Sequence, residues 1–278
     1  MGPAASPRAA LDTAPAQVGP LSIDPVPVVK VQRSLSTLDI LGLKVSSGEF
    51  CDNAEVISAA ALGGRGQWVM TLNLEMVARM ATDEAYQTLV RDVDWAVADG
   101  LPIVWLSHLR GKAGSIPSRS CGVDLTAHFL KYFSGRLGIL GGVAVEGALA
   151  ELNVPRERIV FLDQRIITPN EIDDIAAKLN ASGCQLLLVA LGVPKQDYVC
   201  QALRKQCPGL VCMGVGGSFE ILAGVIPRAP EWVQNLGFEW LYRLCGEPRR
   251  LWRRYLLHYP RAVPRILKWI RAHLVSRA

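Results

Sequence analysis

The feature that most constrains the fold is an alternation along residues 37–222, where short apolar, β-rich runs are separated by stretches of helical periodicity. The runs are Trp68-Val-Met70, Trp95-Ala-Val-Ala98, Leu137-Gly-Ile-Leu140, Arg158-Ile-Val-Phe-Leu162, Gln185 to Ala190 and Leu210 to Met213. Between them Leu74 to Met80, Val123 to Phe133, a segment ending at Leu152 and one ending at Gln206 read as helices. Thr37 to Leu43 reads as a first strand, and Asp52 to Leu62 as a helix ended by Gly63-Gly64. Thr168-Pro169-Asn-Glu171 supplies an N-cap Thr, Pro at N1 and Glu at N3. Apolar strands separated by helices predict an α/β fold: a mostly parallel, Rossmann-like sheet with helices on both faces. Ligands of such sheets bind beyond the carboxyl ends of the strands. The polar residues after each run therefore become candidates: Thr71 and Asn73, Asp99, Gly141-Gly142, Gln196, and Gly214 to Gly217 with Glu220.

Three stretches differ in composition. Residues 1–33 form an Ala/Pro-rich leader, with Pro at 3, 7, 15, 20, 25 and 27 opposing regular structure. Residues 34–225 carry the alternation and are read as the catalytic body. Residues 226–278 form a basic helical appendage with 11 of the chain's 30 Lys and Arg, only three acids and four of the seven Trp. Its net charge is +8 in a chain of +5, so everything before it carries −3. Arg249-Arg250 and Arg253-Arg254 share one helical arc beside Leu251, Trp252 and Leu256. A second pattern places Val263, Ile266, Leu267, Ile270 and Leu274 apart from Arg265, Lys268 and Arg271. Basic residues interleaved with Trp and Tyr suit an anionic membrane leaflet, where each Lys or Arg contributes about 1 kcal/mol. Nucleic acid would also fit the charge, but no recognised binding motif accompanies it.

Half of the 278 residues are hydrophobic, yet no window holds about 18 uninterrupted apolar residues, as a membrane-spanning helix requires. The first 20 residues lack the apolar core of a signal peptide. The seven Cys are odd in number without a CxxC pair, which fits free thiols in a reducing compartment. A soluble, cytoplasmic body with a membrane-facing end is the expectation.

Individual motifs are modest. Gly214-Val-Gly-Gly-Ser-Phe-Glu220 is a strand-to-helix turn whose backbone N–H groups, at Gly216 and Gly217 among others, can face a phosphate. It is neither a complete GxGxxG nor a Walker A loop. Asp99-Gly100 reads either as a plain turn or as a carboxylate at the mouth of a site, able to take a proton from an attacking hydroxyl. Asp92-Val-Asp94 matches a metal-binding DxD, but it precedes its strand and so falls at the wrong end of the sheet. The four His are scattered and no GxSxG is present, so a metal site and a Ser hydrolase have no support. Two readings from other classes stay beside an enzyme of sugar transfer: an NAD(P)-binding Rossmann-like oxidoreductase, and a non-catalytic basic module binding membrane or nucleic acid.

Taken in order, these stretches resemble the WecG/TagA/CpsF glycosyltransferase family from about Leu38 to about Pro260. The resemblance rests on Thr71-Leu-Asn73-Leu-Glu-Met-Val77, Asp99-Gly100, Arg119 with Gly122 and Asp124, Gly192-Val-Pro-Lys-Gln196 and the Gly214–Glu220 turn with Gly224. Arg228-Ala-Pro-Glu-Trp232, Gly237-Phe-Glu-Trp-Leu-Tyr-Arg243 and Glu247-Pro-Arg-Arg-Leu-Trp-Arg-Arg-Tyr255 extend it. It implies inverting transfer from a UDP-sugar to a sugar on a polyprenyl diphosphate at the inner face of the cytoplasmic membrane, in exopolysaccharide or other surface-polymer synthesis. No metal, no further cofactor and no nucleic acid partner are implied, and members can self-associate into homo-oligomers. By the same resemblance, Asp99 is the base with Thr71 and Asn73 beside it, and Arg119 and Gln196 contact donor or acceptor. Position 220 goes to the nucleotide, while Arg243, Arg250 and Arg253 take the lipid diphosphate or departing UDP. The sequence departs from the family at Leu72, usually Pro. At Glu220 and Asp197 the acid is replaced by its homologue, and Ser120-Cys121 stands in place of apolar and Pro residues. These positions bear on the donor sugar, UDP-N-acetylmannosamine or UDP-glucose among the options, more than on the reaction.

Overall fold

A computed structural model describes residues 35–109, 115–165, 167–253, 256 and 259–275; the leader at 1–33 lies outside them. Eight strands form one sheet: β1 (Thr37–Ile40), β2 (Leu43–Ser46), β3 (Gln67–Leu72), β4 (Trp95–Ala98), β5 (Leu137–Gly141), β6 (Ile159–Asp163), β7 (Leu186–Ala190) and β8 (Val211–Gly214). Their order is β1-β2-β4-β3-β8-β7-β5-β6. Every pairing is parallel except β1 with β2. The predicted first strand is therefore two. Leu41 and Gly42 take left-handed φ values of 53° and 90°, and Gly42 N donates to Asp39 Oδ1 at 3.1 Å. A two-residue turn of this hand folds the chain back as an edge hairpin.

Helices cover both faces, as the unbroken apolar runs require. Side chains of successive strand residues alternate between the two layers. Trp68, Met70 and Leu72 of β3 join Ala96 and Ala98 of β4 and Leu187 and Val189 of β7 on one face. That face packs the helices Leu74–Thr82, Leu101–His108, Ile172–Ser182 and Lys195–Gln206. Val69, Val97, Ile139, Leu188 and Met213 point the other way, against the helices Phe50–Leu62, Gly122–Tyr132 and Val145–Glu151. Thr168 donates to Glu171 Oε2 through both backbone N and Oγ1, each at 2.7 Å, so the capping pair exists. The residues Pro169–Glu171 form a short 3₁₀ turn ahead of the α-helix that starts at Ile172.

Asp94 sits at the amino end of the sheet, where its carboxylate accepts from Trp68 N and pairs with Arg204. Asp92 accepts from Gln201. Both acids of the DxD motif thus tie structure together far from the carboxyl edge.

The described residues end in the helix Tyr259–Val275, which lies on the helix Leu74–Thr82. Their contact is made of small residues: Ala262, fully buried, meets Ala78 and Ala81, with Leu41, Tyr259 and Ile266 around them. Arg265 Nη1 donates to Ala81 O at 2.8 Å, one of the carbonyls that a helix end leaves open. The outward face carries Arg261, Lys268 and Arg271 with exposed Val263 and Leu267. No helix of the described residues is long and apolar enough to cross a membrane. Ala262→Leu should force the two helices apart at a cost of about 1–3 kcal/mol, read as an earlier urea midpoint; an unchanged midpoint would show that the contact tolerates extra volume.

Candidate active site

β3 and β4 pair with Leu72 opposite Ala98, so the residues that follow them emerge side by side at the carboxyl edge. Asp99 N donates to Leu72 O at 2.8 Å. Gly100, at φ 104°, then turns the chain into the helix Leu101–His108, a conformation that a Cβ would strain. Asn73 caps the helix Leu74–Thr82, its Oδ1 accepting from Glu75 N and Met76 N at 3.0 and 3.2 Å. Above both opens a cleft lined by Asn73, Asp99 and Arg119 from the body and by Gln234, Glu239 and Arg243 from the C-terminal stretch, with Trp240 and Tyr259 at its side.

Two joints hold that C-terminal stretch over the cleft. Arg228 pairs with Asp124 through both guanidinium nitrogens, at 2.7 and 2.9 Å, the bidentate arrangement that favours Arg over Lys. Gly237, at φ 72°, lies so near Trp105 that a Cβ would come within 2.2 Å of the indole. Gln234 then accepts from Arg119 Nη2 at 2.7 Å and donates to Ala229 O at 2.6 Å. Glu239 faces two cations: Arg243 Nη2 at 2.8 Å and Arg119 Nη1 at 3.8 Å.

This environment perturbs Asp99. Burial in the cleft lifts its pKa to about 6, and the charge of Glu239 adds to the rise. Arg243 and the neighbouring Cys121 thiol, which hydrogen-bonds its carboxylate, hold it down. Near neutral pH it is ionised but proton-seeking, the condition of a general base. Desolvation in turn pushes the Cys121 thiol well up, so the thiol stays protonated beside Asp99.

Along the same edge lies a second, glycine-lined rim. Gly141, which ends β5, and Gly142 after it both take φ 82°, and Gly192 and Gly216 are also left-handed. Gln196 is buried, and its Oε1 accepts from Gly216 N at 2.9 Å. Asp197 beside it accepts from Tyr86 Oη at 2.7 Å, and burial raises its pKa to about 7. Glu220 Oε1 accepts from Val143 N at 3.3 Å, which links the β8 turn to the β5 turn. Its other oxygen, Oε2, is buried without a hydrogen-bond partner among the described residues.

Of the residues singled out from the sequence, Asp99, Asn73, Arg119 and Arg243 meet at one cleft. Gly216, Gly217, Gln196 and Glu220 form the adjoining rim, where Gln196 acts on the turn from beneath rather than from an open surface. Thr71 stands apart. It is buried, its hydroxyl donates to Gly214 O at 2.9 Å, and it packs against Gly122, so it braces the sheet under the site. Arg250 and Arg253 fall on the helix Pro248–Arg253, and their side chains lie outside the described residues. Sequence reasoning passed over Glu239, Gln234 and Cys121. Glu239 stood in the quoted Gly237–Arg243 motif, but its spacing to Arg243 is that of an ordinary surface i,i+4 pair. Among the described residues no group of three or more His, Cys, Asp or Glu is arranged to hold a metal ion.

An Asp whose folded pKa is raised binds its proton more tightly in the native state than in the unfolded chain. Stability from this source is full below about pH 4 and is lost as pH climbs through about 6. Replacing Asp99 by Asn removes that loss. The variant should match the wild type near pH 4 and exceed it by up to about 3 kcal/mol at pH 8 in urea melts. A stability difference independent of pH would contradict the raised pKa.

The strand-edge cleft, the carboxylate at its floor and the arginines brought over it from the C-terminal stretch all fall within residues 38–275, which match the model of the glycosyl transferase WecG/TagA/CpsF family. The match spans most of the chain, and the protein belongs to that glycosyltransferase family.

Proposed function

We propose that the protein is an inverting glycosyltransferase that moves a hexose or N-acetylhexosamine from a UDP-sugar to a sugar carried on a polyprenyl diphosphate, in exopolysaccharide or other surface-polymer synthesis. The observation that carries this reading is Asp99, raised to about 6, facing Arg119 and Arg243 across one cleft at the carboxyl edge of the sheet. Asp99 takes the proton of the acceptor hydroxyl. The hydroxyl oxygen bonds to the anomeric carbon as the bond from that carbon to the UDP oxygen breaks on the opposite face, which inverts the centre. The electron pair leaves on UDP, and the guanidiniums of Arg119 and Arg243, joined by Arg250 and Arg253, meet its charge. Asn73, fixed as a helix cap, lines the same floor. On the rim, backbone N–H groups near Gly216 and Gly217 suit a phosphate, and the unpartnered Glu220 Oε2 suits a sugar hydroxyl of the nucleotide. UDP-sugar is a substrate in this scheme, which calls on no cofactor.

The acceptor's lipid places the enzyme at a membrane surface, on the inner face of the cytoplasmic membrane. Exposed Trp232, Leu236, Phe238 and Leu241 support this placement, as do the outward Arg261, Lys268 and Arg271 of the last helix. Apolar side chains among cations bind anionic leaflets through both terms.

Asp99→Asn should lower kcat for transfer by about 10²–10⁴-fold without weakening UDP binding, measured with radiolabelled donor and a short-chain polyprenyl-diphosphate sugar. Unchanged turnover would remove Asp99 from the base role. In the wild type, kcat/KM should fall about tenfold per pH unit below about pH 6, as the base becomes protonated; a flat acid limb would count against it. Reversing three charges together, Arg261→Glu, Lys268→Glu and Arg271→Glu, should weaken sedimentation with anionic vesicles by about 100-fold or more, at about 1 kcal/mol lost per cation. Equal binding to neutral and anionic vesicles would overturn the electrostatic part.

A further inference from the structure

Glu239 has no task in the reaction just described, yet it occupies the position from which both cleft guanidiniums are held. Its Oε1 accepts from Arg243 Nη2 at 2.8 Å, and its Oε2 lies 3.8 Å from Arg119 Nη1. Arg119 is further fixed by Gln234 at 2.7 Å. A carboxylate spanning two guanidiniums offers them two anionic oxygens, as a phosphate would. The same carboxylate stands close enough to Asp99 to raise its pKa, so a dianionic ligand entering the cleft meets negative groups already there: Asp99, Glu239 and, on the rim, Glu75. Asp124 adds no comparable obstacle, since Arg228 binds it on both oxygens.

We propose that Glu239 is an internal stand-in for the diphosphate of the ligand: it keeps Arg119 and Arg243 aligned ahead of binding, and the incoming diphosphate displaces it from them. Glu239 is thus a positioning residue. The identity of the ligand rests on the proposed function, which offers two sources of diphosphate, the UDP of the donor and the lipid-linked diphosphate of the acceptor. Displacement has a cost that removing the charge abolishes. Loss of Glu239 therefore tightens binding, whereas ordinary damage to a cleft residue weakens it.

The test uses the full chain and titrates wild type, Glu239→Gln and Glu239→Ala with UDP, a short-chain prenyl diphosphate, inorganic diphosphate and uridine, by calorimetry. Both variants should bind diphosphates about tenfold more tightly than wild type, a modest share of the interaction between unit charges at this range. Uridine affinity should not change. KM for the donor should fall without a rise in kcat, because the arginines lose their alignment. Tightening confined to UDP assigns the displaced group to the donor, and tightening confined to the prenyl diphosphate assigns it to the acceptor. Tightening for inorganic diphosphate alone upholds the stand-in and overturns the proposed ligands. Unchanged or weaker diphosphate binding in both variants, with melting temperatures kept, overturns the proposal. If the Gln variant melts early, the Ala variant decides.

Discussion

The pairing of β3 with β8 is the interaction on which the site depends. It joins β1, β2, β4 and β3 to β8, β7, β5 and β6, and among the described residues no other strand pairing crosses between these halves. Gln67 to Met70 of β3 run alongside Val211 to Gly214, and the Thr71 hydroxyl adds a bond to Gly214 O at the last position. The cleft that holds Asp99 lies beyond β3 and β4, and the glycine rim lies beyond β8, β7 and β5. Their spacing is set by backbone hydrogen bonds in the interior, which water cannot compete for. Donor and acceptor chemistry on the two sides of such a seam would be held at a constant distance.

Across that seam the C-terminal stretch completes what the sheet leaves open. A carboxyl edge supplies carboxylates and backbone N–H groups readily, but among the described residues that line the Asp99 cleft the body contributes one cation, Arg119. Arg243 comes from beyond residue 225, delivered by the Arg228–Asp124 pair and by the contact of Gly237 with Trp105. Asp99 senses that arrival. Glu239 and Arg243 act on it with opposite sign from one helix, four residues apart, so its proton affinity follows how the helix Glu239–Gly246 sits.

Much of the fold was legible because unbroken apolar runs bounded by Gly can only be buried strands of a covered sheet, and they fixed the edge at which to look. Asp99, Asn73 and the Gly214–Gly217 turn were found by that rule alone. The hairpin was missed because Asp39 and the Leu41-Gly42 turn were read as part of one alternating strand; its left-handed pair leaves only a single Gly as a signal. Thr71 looked like a site residue because it follows an apolar run, but β3 extends through Leu72 and turns that hydroxyl inward. Glu239 was illegible for a different reason. An acid four residues before an arginine is the commonest pattern on a solvated helix, and only the fold shows that Arg119, more than a hundred residues earlier, shares it.

The small-residue contact between Ala262 and the pair Ala78 and Ala81 has a metric consequence. Side chains of this size let the two helices approach closely, and the earlier of them is capped by Asn73, in the cleft itself. The last helix, with its outward cations, is thus packed against the helix that opens beside Asp99. If that outward face rests on a leaflet, Asp99 stands at a set height above the headgroups. An acceptor would then be chosen partly by how far its reacting hydroxyl projects from the lipid, in addition to the sugar that bears it.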